Sequence, residues 1–294
     1  MALKDLSNEV ADLVKQVSPG IVQVDARRGR AGTGIVWDKG LVLTASHVVE
    51  QEENIEVVAG DKRLKAELAG RDPGTDLALL KVDGLEAQPL PRAKVSGLQP
   101  GQIVLAIGRA GSLKATFGTI SSVSSQPGGW RGTQIEHLVQ TSAPLYPGFS
   151  GGPLVDAEGR VIGMNSWVFG RGDGRAVAMD VAERVAQALR SEGRIKRPYV
   201  GIGTQAVPLP DAVKSKVNQS SGLLIITVEP QSPADKAGLM QGDTLIALDG
   251  TPTNSIEDLY LGLRKLQVGS KQRLKIVRAG EMKEVDVVLG EASR

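Results

Sequence analysis

Apolar positions along this chain change period as it proceeds. Over residues 8 to 17 they recur at helical spacing, with Val10, Leu13, Val14 and Val17 on one face, Ser7 placed to cap the start and Pro19-Gly20 ending the run. From there to about residue 180 the pattern is one of short apolar runs separated by turn residues, the signature of an all-β barrel or sandwich. The predicted strands are Ile21–Asp25, Gly34–Trp37, Leu41–Thr44, Ile55–Ala59, Leu64–Ala69, Leu77–Val82, Ile103–Ile107, Thr116–Val123, Leu138–Thr141, Leu154–Val155, Val161–Asn165 and Ala176–Met179. That number fits two packed barrels better than one. A helix follows: Asp180 and Glu183 resemble a capping box at its start, Val181, Val185, Ala188 and Leu189 form its apolar face, and Gly193 follows its end. The short basic stretch Gly193-Arg-Ile-Lys-Arg-Pro198 reads as a boundary. Beyond it the pattern predicts strands at Leu223–Val228, Thr244–Leu248, Arg273–Val277 and Val285–Leu289, and a helix from Ile256 to Leu266 with Ile256, Leu259, Tyr260 and Leu263 on one side. The chain thus divides into an N-terminal helix and extension (1–20), a β domain (21–193), a linker (194–198) and a compact second domain (199–294).

Composition narrows the chemistry more than the fold. The 294 residues are 41% hydrophobic and 23% charged, ordinary for a soluble globular protein, and long enough for two or three domains. A net charge of +2 supplies no broad basic field, so nucleic acid is not an expected partner. Cysteine is absent, which excludes disulfides, a thiol nucleophile and Cys-ligated metal, and two histidines make a His-rich metal site implausible. Neither metal nor cofactor is expected. No apolar run approaches the ~20 residues of a membrane span, and the start lacks the basic-then-apolar layout of a signal peptide. A chain from which an export signal or anchor had been removed would read the same.

The densest chemical signal is Leu145-Tyr-Pro-Gly-Phe-Ser-Gly-Gly-Pro-Leu-Val155, where glycines and prolines crowd around Ser150 between two apolar runs. Glycine opens turn conformations closed to other residues and lets another chain approach. A serine held there, with backbone N–H groups free to meet a carbonyl oxygen, is what acyl transfer needs; an ordinary surface serine in a Gly/Pro loop is the plainer account. Ser150 needs a base. His47 ends the apolar run Leu41-Val-Leu-Thr-Ala-Ser-His with room left by Ala45 and Ser46, whereas His137 reads as a partly exposed structural residue. Asp76, immediately ahead of the apolar run Leu77–Val82, is the best candidate to orient the imidazole; Asp72, in a Pro-Gly turn, is the competitor and is expected to be solvated.

Taken together, Thr-Ala-Ser-His-Val-Val, Thr-Asp-Leu-Ala-Leu-Leu-Lys-Val and Gly-Phe-Ser-Gly-Gly-Pro-Leu resemble the His, Asp and Ser blocks of the HtrA/Deg serine proteases, in the same chain order. The resemblance implies a chymotrypsin-like double β-barrel, with His47 as general base and acid, Asp76 as its orienter and Ser150 as nucleophile. Backbone N–H groups of Gly148 and Ser150 would form the oxyanion hole. By register with the family, Leu145 and Val168 would line the pocket for the residue before the cleaved bond, with an apolar preference and no acid to attract Lys or Arg. Phe169-Gly-Arg-Gly-Asp-Gly-Arg175 would be the loop beside it. The chain departs from the family at Phe149, where Asn is usual, and at Ala45-Ser46 before the histidine. Phe149 could tilt the peptide plane or cover the cleft. It is the feature that favours the other reading, a peptide-binding or chaperone-like protein with a latent or weak protease site.

Tyr199-Val-Gly-Ile202, Ser232-Pro-Ala-Asp-Lys-Ala-Gly-Leu239 and Gly242-Asp-Thr-Leu-Ile-Ala-Leu-Asp-Gly250 resemble a circularly permuted PDZ domain, α+β in class. In that resemblance Tyr199, Val200, Gly201 and Ile202 receive a peptide C-terminus, which adds a strand beside Ile202–Gln205. Ile256, Tyr260 and Leu263 contact its last side chain or fill the domain core, two placements the sequence leaves open. The family further implies unfolded polypeptide substrates, protein quality control under stress, a homotrimer and an extracytoplasmic setting.

Overall fold

The structure, a computed structural model, describes residues 3–126, 135–170 and 174–292. They form two compact units, Met1–Ile195 and Lys196–Arg294. The first opens with helix α1 (Leu3–Val17), which begins well before the apolar pattern does. No helix breaker precedes Pro19, so helical backbone extends through the polar first turns and Ser7 lies inside the helix rather than capping it. Val10, Leu13 and Val14 pack against the core, as the spacing predicted.

Strands β1 (Ile21–Asp25), β2 (Gly32–Asp38), β3 (Leu41–Ala45), β4 (Ile55–Ala59), β5 (Lys62–Asp72) and β6 (Leu77–Val82) close into a barrel in the order β1-β2-β3-β6-β5-β4. The next six, β7 (Ile103–Ala110), β8 (Ser112–Gln126), β9 (Ile135–Thr141), β10 (Pro153–Asp156), β11 (Val161–Asn165) and β12 (Gly174–Ala178), close a second barrel in the corresponding order β7-β8-β9-β12-β11-β10. β5 and β8 outrun their apolar cores, because ladder hydrogen bonds join backbones whatever the side chain, and both pairings accommodate register shifts, at Leu68/Gly70 and Ile120/Ser122. Val22, Val42, Leu43, Val57 and Leu79 are buried in the first barrel, Ala106, Ile120, Leu154 and Ile162 in the second.

Helix α2 (Met179–Glu192) follows the second barrel and lays Val181, Val185 and Leu189 against both, touching β5 and β6 of the first and β9, β11 and β12 of the second. Asp180 is not its cap. The helix starts one residue earlier, and the Asp180 carboxylate accepts the Val181 N–H while pairing with His137. Gly193 ends the helix in the left-handed region at φ +71°, where its backbone closes on Gly70: a Cβ on Gly70 would sit 2.2 Å from the Gly193 carbonyl oxygen.

The second unit comprises β13 (Pro198–Tyr199), β14 (Ile202–Pro208), α3 (Asp211–Val217), β15 (Ser221–Val228), α4 (Pro233–Lys236), β16 (Thr244–Leu248), β17 (Thr251–Pro252), α5 (Ile256–Arg264), β18 (Lys271–Arg278), β19 (Glu281–Val288) and β20 (Gly290–Glu291). Its sheet runs β14-β15-β16-β18-β19, with β17 beside β16, and β13 pairs with β20. Leu223, Ile225, Leu245, Leu274, Ile276 and Val287 fill the core. α3 escapes prediction because only Val213 and Val217 pack inward, too few to declare a period. Mainly β, with a chymotrypsin-like double barrel followed by a smaller α+β unit, the architecture is the one expected.

Candidate active site

The backbone around Ser150 is built from two turns. Tyr146-Pro147-Gly148-Phe149 is closed by the Phe149 N–H donating to the Tyr146 carbonyl at 3.0 Å, with Gly148 at φ +93°. A positive-φ glycine third is what a type II turn requires, and proline second is what it favours. The Phe149 carbonyl then accepts from Gly152 N–H at 2.9 Å. Because a trans peptide sets N–H opposite C=O, the Ser150 N–H faces away from that bond. Among the described residues, neither the Gly148 nor the Ser150 N–H meets a protein acceptor. Two unengaged donors, one on buried Ser150 and one on half-buried Gly148, flank the hydroxyl and make a site suited to a developing oxyanion. Gly151 and Gly152 are glycine for space: a Cβ there would lie 2.0 Å from the Thr33 carbonyl oxygen and 2.1 Å from that of Ile107.

His47 sits in a one-turn 3-10 helix (Ser46–Val48) directly after β3. Its Nδ1 lies 2.9 and 2.8 Å from the two carboxylate oxygens of Asp76, and its backbone N–H donates to Asp76 Oδ1 at 2.9 Å. A carboxylate only accepts, so Nδ1 carries the proton and Nε2 is left with its lone pair free to receive one. Asp76 is buried at φ +56°, a conformation Asp tolerates better than most residues. The remaining capacity of the carboxylate is used by Ser166, fully buried, whose hydroxyl donates to Oδ2 at 2.6 Å. The next residue, Trp167, donates its N–H to Ser150 Oγ at 3.3 Å, so one dipeptide touches both the acid and the serine. Among the described residues no hydrogen bond joins Ser150 to the His47 ring.

Several sequence expectations change here. Asp72 is not solvated: it is 2% exposed and accepts from Thr75 Oγ at 2.7 Å, a carboxylate folded back onto its own turn. Phe149 does not cover the cleft. It is 1% exposed in the core of the second barrel, against Gly108 and edge-on to Tyr146. Ser166 and Trp167 were missed; a serine after an apolar strand announces nothing, and Trp167, 56% exposed, stands out only once its neighbour is known. Leu145 is buried in the second barrel's core and Val168 is half-buried, its N–H donating to Ser166 Oγ. Of the loop 169–175, residues 171–173 lie outside the described residues.

In the second unit, β14 is an edge strand, bonded to β15 alone among the described strands, and α5 packs beside it. Gly201, at φ +90°, accepts the Glu229 N–H at its carbonyl, and the Val200 carbonyl accepts the Ala234 N–H. Tyr199 hands its hydroxyl hydrogen to Glu229; burial first, then that carboxylate, push its pKa up to about 12. Ile256 and Tyr260 are exposed and Ile202 half-buried, whereas Leu263 and Val200 belong to the core.

Comparison with known proteins follows the same division. A profile described as trypsin-like peptidase domain matches residues 32–164, and one described as PDZ domain matches 200–289. The chain is 34% identical over 269 residues to a probable periplasmic serine endoprotease, DegP-like, of Pseudomonas fluorescens, covering 88% of this chain and 56% of that protein. With its Halomonas elongata counterpart it shares 35% over 283 residues, 93% of this chain and 59% of the relative. The chain thus spans a little over half the length of the curated relatives it matches. Among solved structures it resembles a serine endoprotease from Yersinia pestis, at 28% identity and TM-score 0.80, covering 96% and 98% of the two chains. It also resembles the HtrA-type protease AlgW with tripeptide, at 26% and 0.81, covering 97% of each.

Proposed function

The chain belongs to the HtrA/Deg family of serine proteases, a trypsin-like peptidase domain followed by a PDZ domain, and from that membership we propose that it is an endopeptidase working through an acyl-enzyme. The observation that carries this reading is the imidazole–carboxylate pair at 2.8 Å, linked through Ser166-Trp167 to a serine flanked by two unengaged N–H groups. As substrate enters and excludes water, the Ser150 hydroxyl turns to His47, because a catalytic hydrogen bond is often completed only in the complex. His47 Nε2 takes the proton while Oγ bonds to the carbonyl carbon, and the oxygen that gains the charge receives the Gly148 and Ser150 N–H groups. Collapse of this intermediate breaks the C–N bond, with the imidazolium giving its proton to the leaving amine. Water then repeats the cycle on the ester. Asp76 holds the tautomer and balances the charge on the ring.

Leu145 and Val168 line an apolar pocket for the residue before the scissile bond. The edge of β14 takes an extended peptide, whose carboxylate meets the backbone at Tyr199–Ile202 and whose last side chain rests on Ile256 and Tyr260. A tripeptide accompanies the AlgW structure, which supports peptide ligands for this fold. Substrates are unfolded polypeptides and the setting is extracytoplasmic, in keeping with the periplasmic relatives; the assembly is a homotrimer, a reading that rests on family alone. A peptide-binding protein with a latent site is not favoured, since the relatives are named endoproteases and Phe149 leaves the cleft open. The test is labelling by a fluorophosphonate and digestion of β-casein, compared with Ser150→Ala. Labelling and fragments from the wild type alone support the proposal; equal behaviour of the two proteins overturns it.

A further inference from the structure

Every polar group of Thr33 is committed. This residue, fully buried on β2 of the first barrel, donates its N–H to the Ser150 carbonyl at 3.1 Å and its hydroxyl to the Gly148 carbonyl at 2.6 Å. The same hydroxyl oxygen accepts the Arg109 N–H at 2.7 Å. Its own carbonyl accepts from Thr44 Oγ at 2.6 Å, and Thr44 lies on β3, the strand that leads to His47.

These bonds fall in a regular alternation along the nucleophile turn. The peptides 148–149 and 150–151 are held at both ends: their carbonyls by Thr33, their N–H groups by the carbonyls of Tyr146 and Asn165. The peptides between and before them, 147–148 and 149–150, are the ones whose N–H groups are unengaged. Fixing one set of planes aims the other. Gly148 is the weak point, because glycine imposes no steric limit of its own on either torsion. With its carbonyl released, only the Phe149–Tyr146 bond would restrain its N–H.

We propose that Thr33 is the positioning residue of the oxyanion hole, a first-barrel hydroxyl that sets the direction of the Gly148 N–H on the second barrel. The inference rests on the endopeptidase reading above. A hydroxyl suits the place because it donates and accepts from one uncharged atom. Its contribution to rate comes from preorganisation, since donors already aimed at the developing charge need not reorganise during reaction.

The test is steady-state kinetics on a peptide substrate with Thr33→Val and Thr33→Ser. Loss of one oxyanion donor costs about 100- to 1000-fold in kcat, so misaiming one should cost about 10- to 100-fold, with KM within about twofold. Affinity for a peptide aldehyde, which gains an oxyanion on adding to Ser150, should fall by the same factor as kcat/KM. An uncleaved peptide should bind T33V/S150A as tightly as S150A, and T33S should return kcat to within about threefold of wild type. Should the Val protein not fold, Thr33→Ala reads the same loss. A Val or Ala variant with kcat within twofold of wild type, one changed only in KM, or a Ser variant as impaired as these, overturns the proposal. An inert wild-type chain sinks the endopeptidase reading and the role of Thr33 with it, whereas an active wild type with an unimpaired T33V sinks only the latter.

Discussion

Asp76 meets two demands at once: it occupies the left-handed region at φ +56° and its buried carboxylate must serve a ring, a backbone N–H and a hydroxyl. Asparagine satisfies the first and fails the second. Asp76→Asn should therefore fold with little change in circular dichroism yet lose kcat by about 10⁴-fold, since an amide NH₂ facing Nδ1 favours the wrong tautomer. Ser166→Ala is a milder probe of the same carboxylate: losing a charge-assisted bond should lower stability by about 1.5–3 kcal/mol in urea titrations. Gly151→Ala is the severe case, since φ +86° and a Cβ 2.0 Å from Thr33 oxygen combine strain with collision, and no soluble protein is expected at 37 °C. Residues whose type announces chemistry, such as Ser150 among glycines or a histidine at a strand end, can be read in the chain. Thr33 and Ser166 cannot, because their importance lies in partners 115 and 90 residues away and hydroxyls are everywhere.

At the scale of elements, α5 shows how far periodicity reaches. Spacing placed Ile256, Leu259, Tyr260 and Leu263 on one side, and the helix does form there, opened by a capping box between Ser255 and Asp258. Yet one stripe serves two surfaces: Leu259 and Leu263 enter the core while Ile256 and Tyr260 stay exposed beside β14. Period alone cannot make this division, since it reports a face and not what lies against it. Leu263→Ala should accordingly cost about 2–5 kcal/mol of stability. If the proposed peptide groove is right, Tyr260→Asp, at an exposed position, should leave the melting temperature within about 2 °C and weaken a peptide with an apolar C-terminus at least about tenfold by fluorescence anisotropy. The false capping box at Asp180 has a similar lesson. The D-x-x-E string was real, but backbone continuing from β12 began the helix a residue earlier and left Asp180 for His137.

At the scale of the molecule, each unit has a core of its own, and residues 196–294 expressed alone should unfold in one cooperative step. That unit also carries its own acid sensitivity. Asp243 is 1% exposed; burial pushes its carboxyl up, but the Arg278 fork at 2.6 and 2.7 Å and the Met240 N–H outweigh this and hold it below its ordinary value. A depressed carboxyl stabilises fully above the unfolded-state value near ~3.9, and the gain is lost as pH falls through the folded value. Urea midpoints should thus drop for the wild type below about pH 4 more steeply than for Asp243→Asn, which should be the weaker protein at neutral pH. The barrel count was legible because a closed barrel repeats its strand pattern locally. The closure of each ring was not, since it joins β1 to β4 and β7 to β10 across the chain.

The two rings share one strand order, but α2, which leaves the second, lies across the first and is clasped there where Gly70 meets Gly193. Covalent continuity between residues 83 and 102 is therefore not the sole tether between the half that carries His47 and the half that carries Ser150. A nick in that connection would leave the halves buckled together by the helix, and a molecule of this build could be cut in its own middle and still hold its shape.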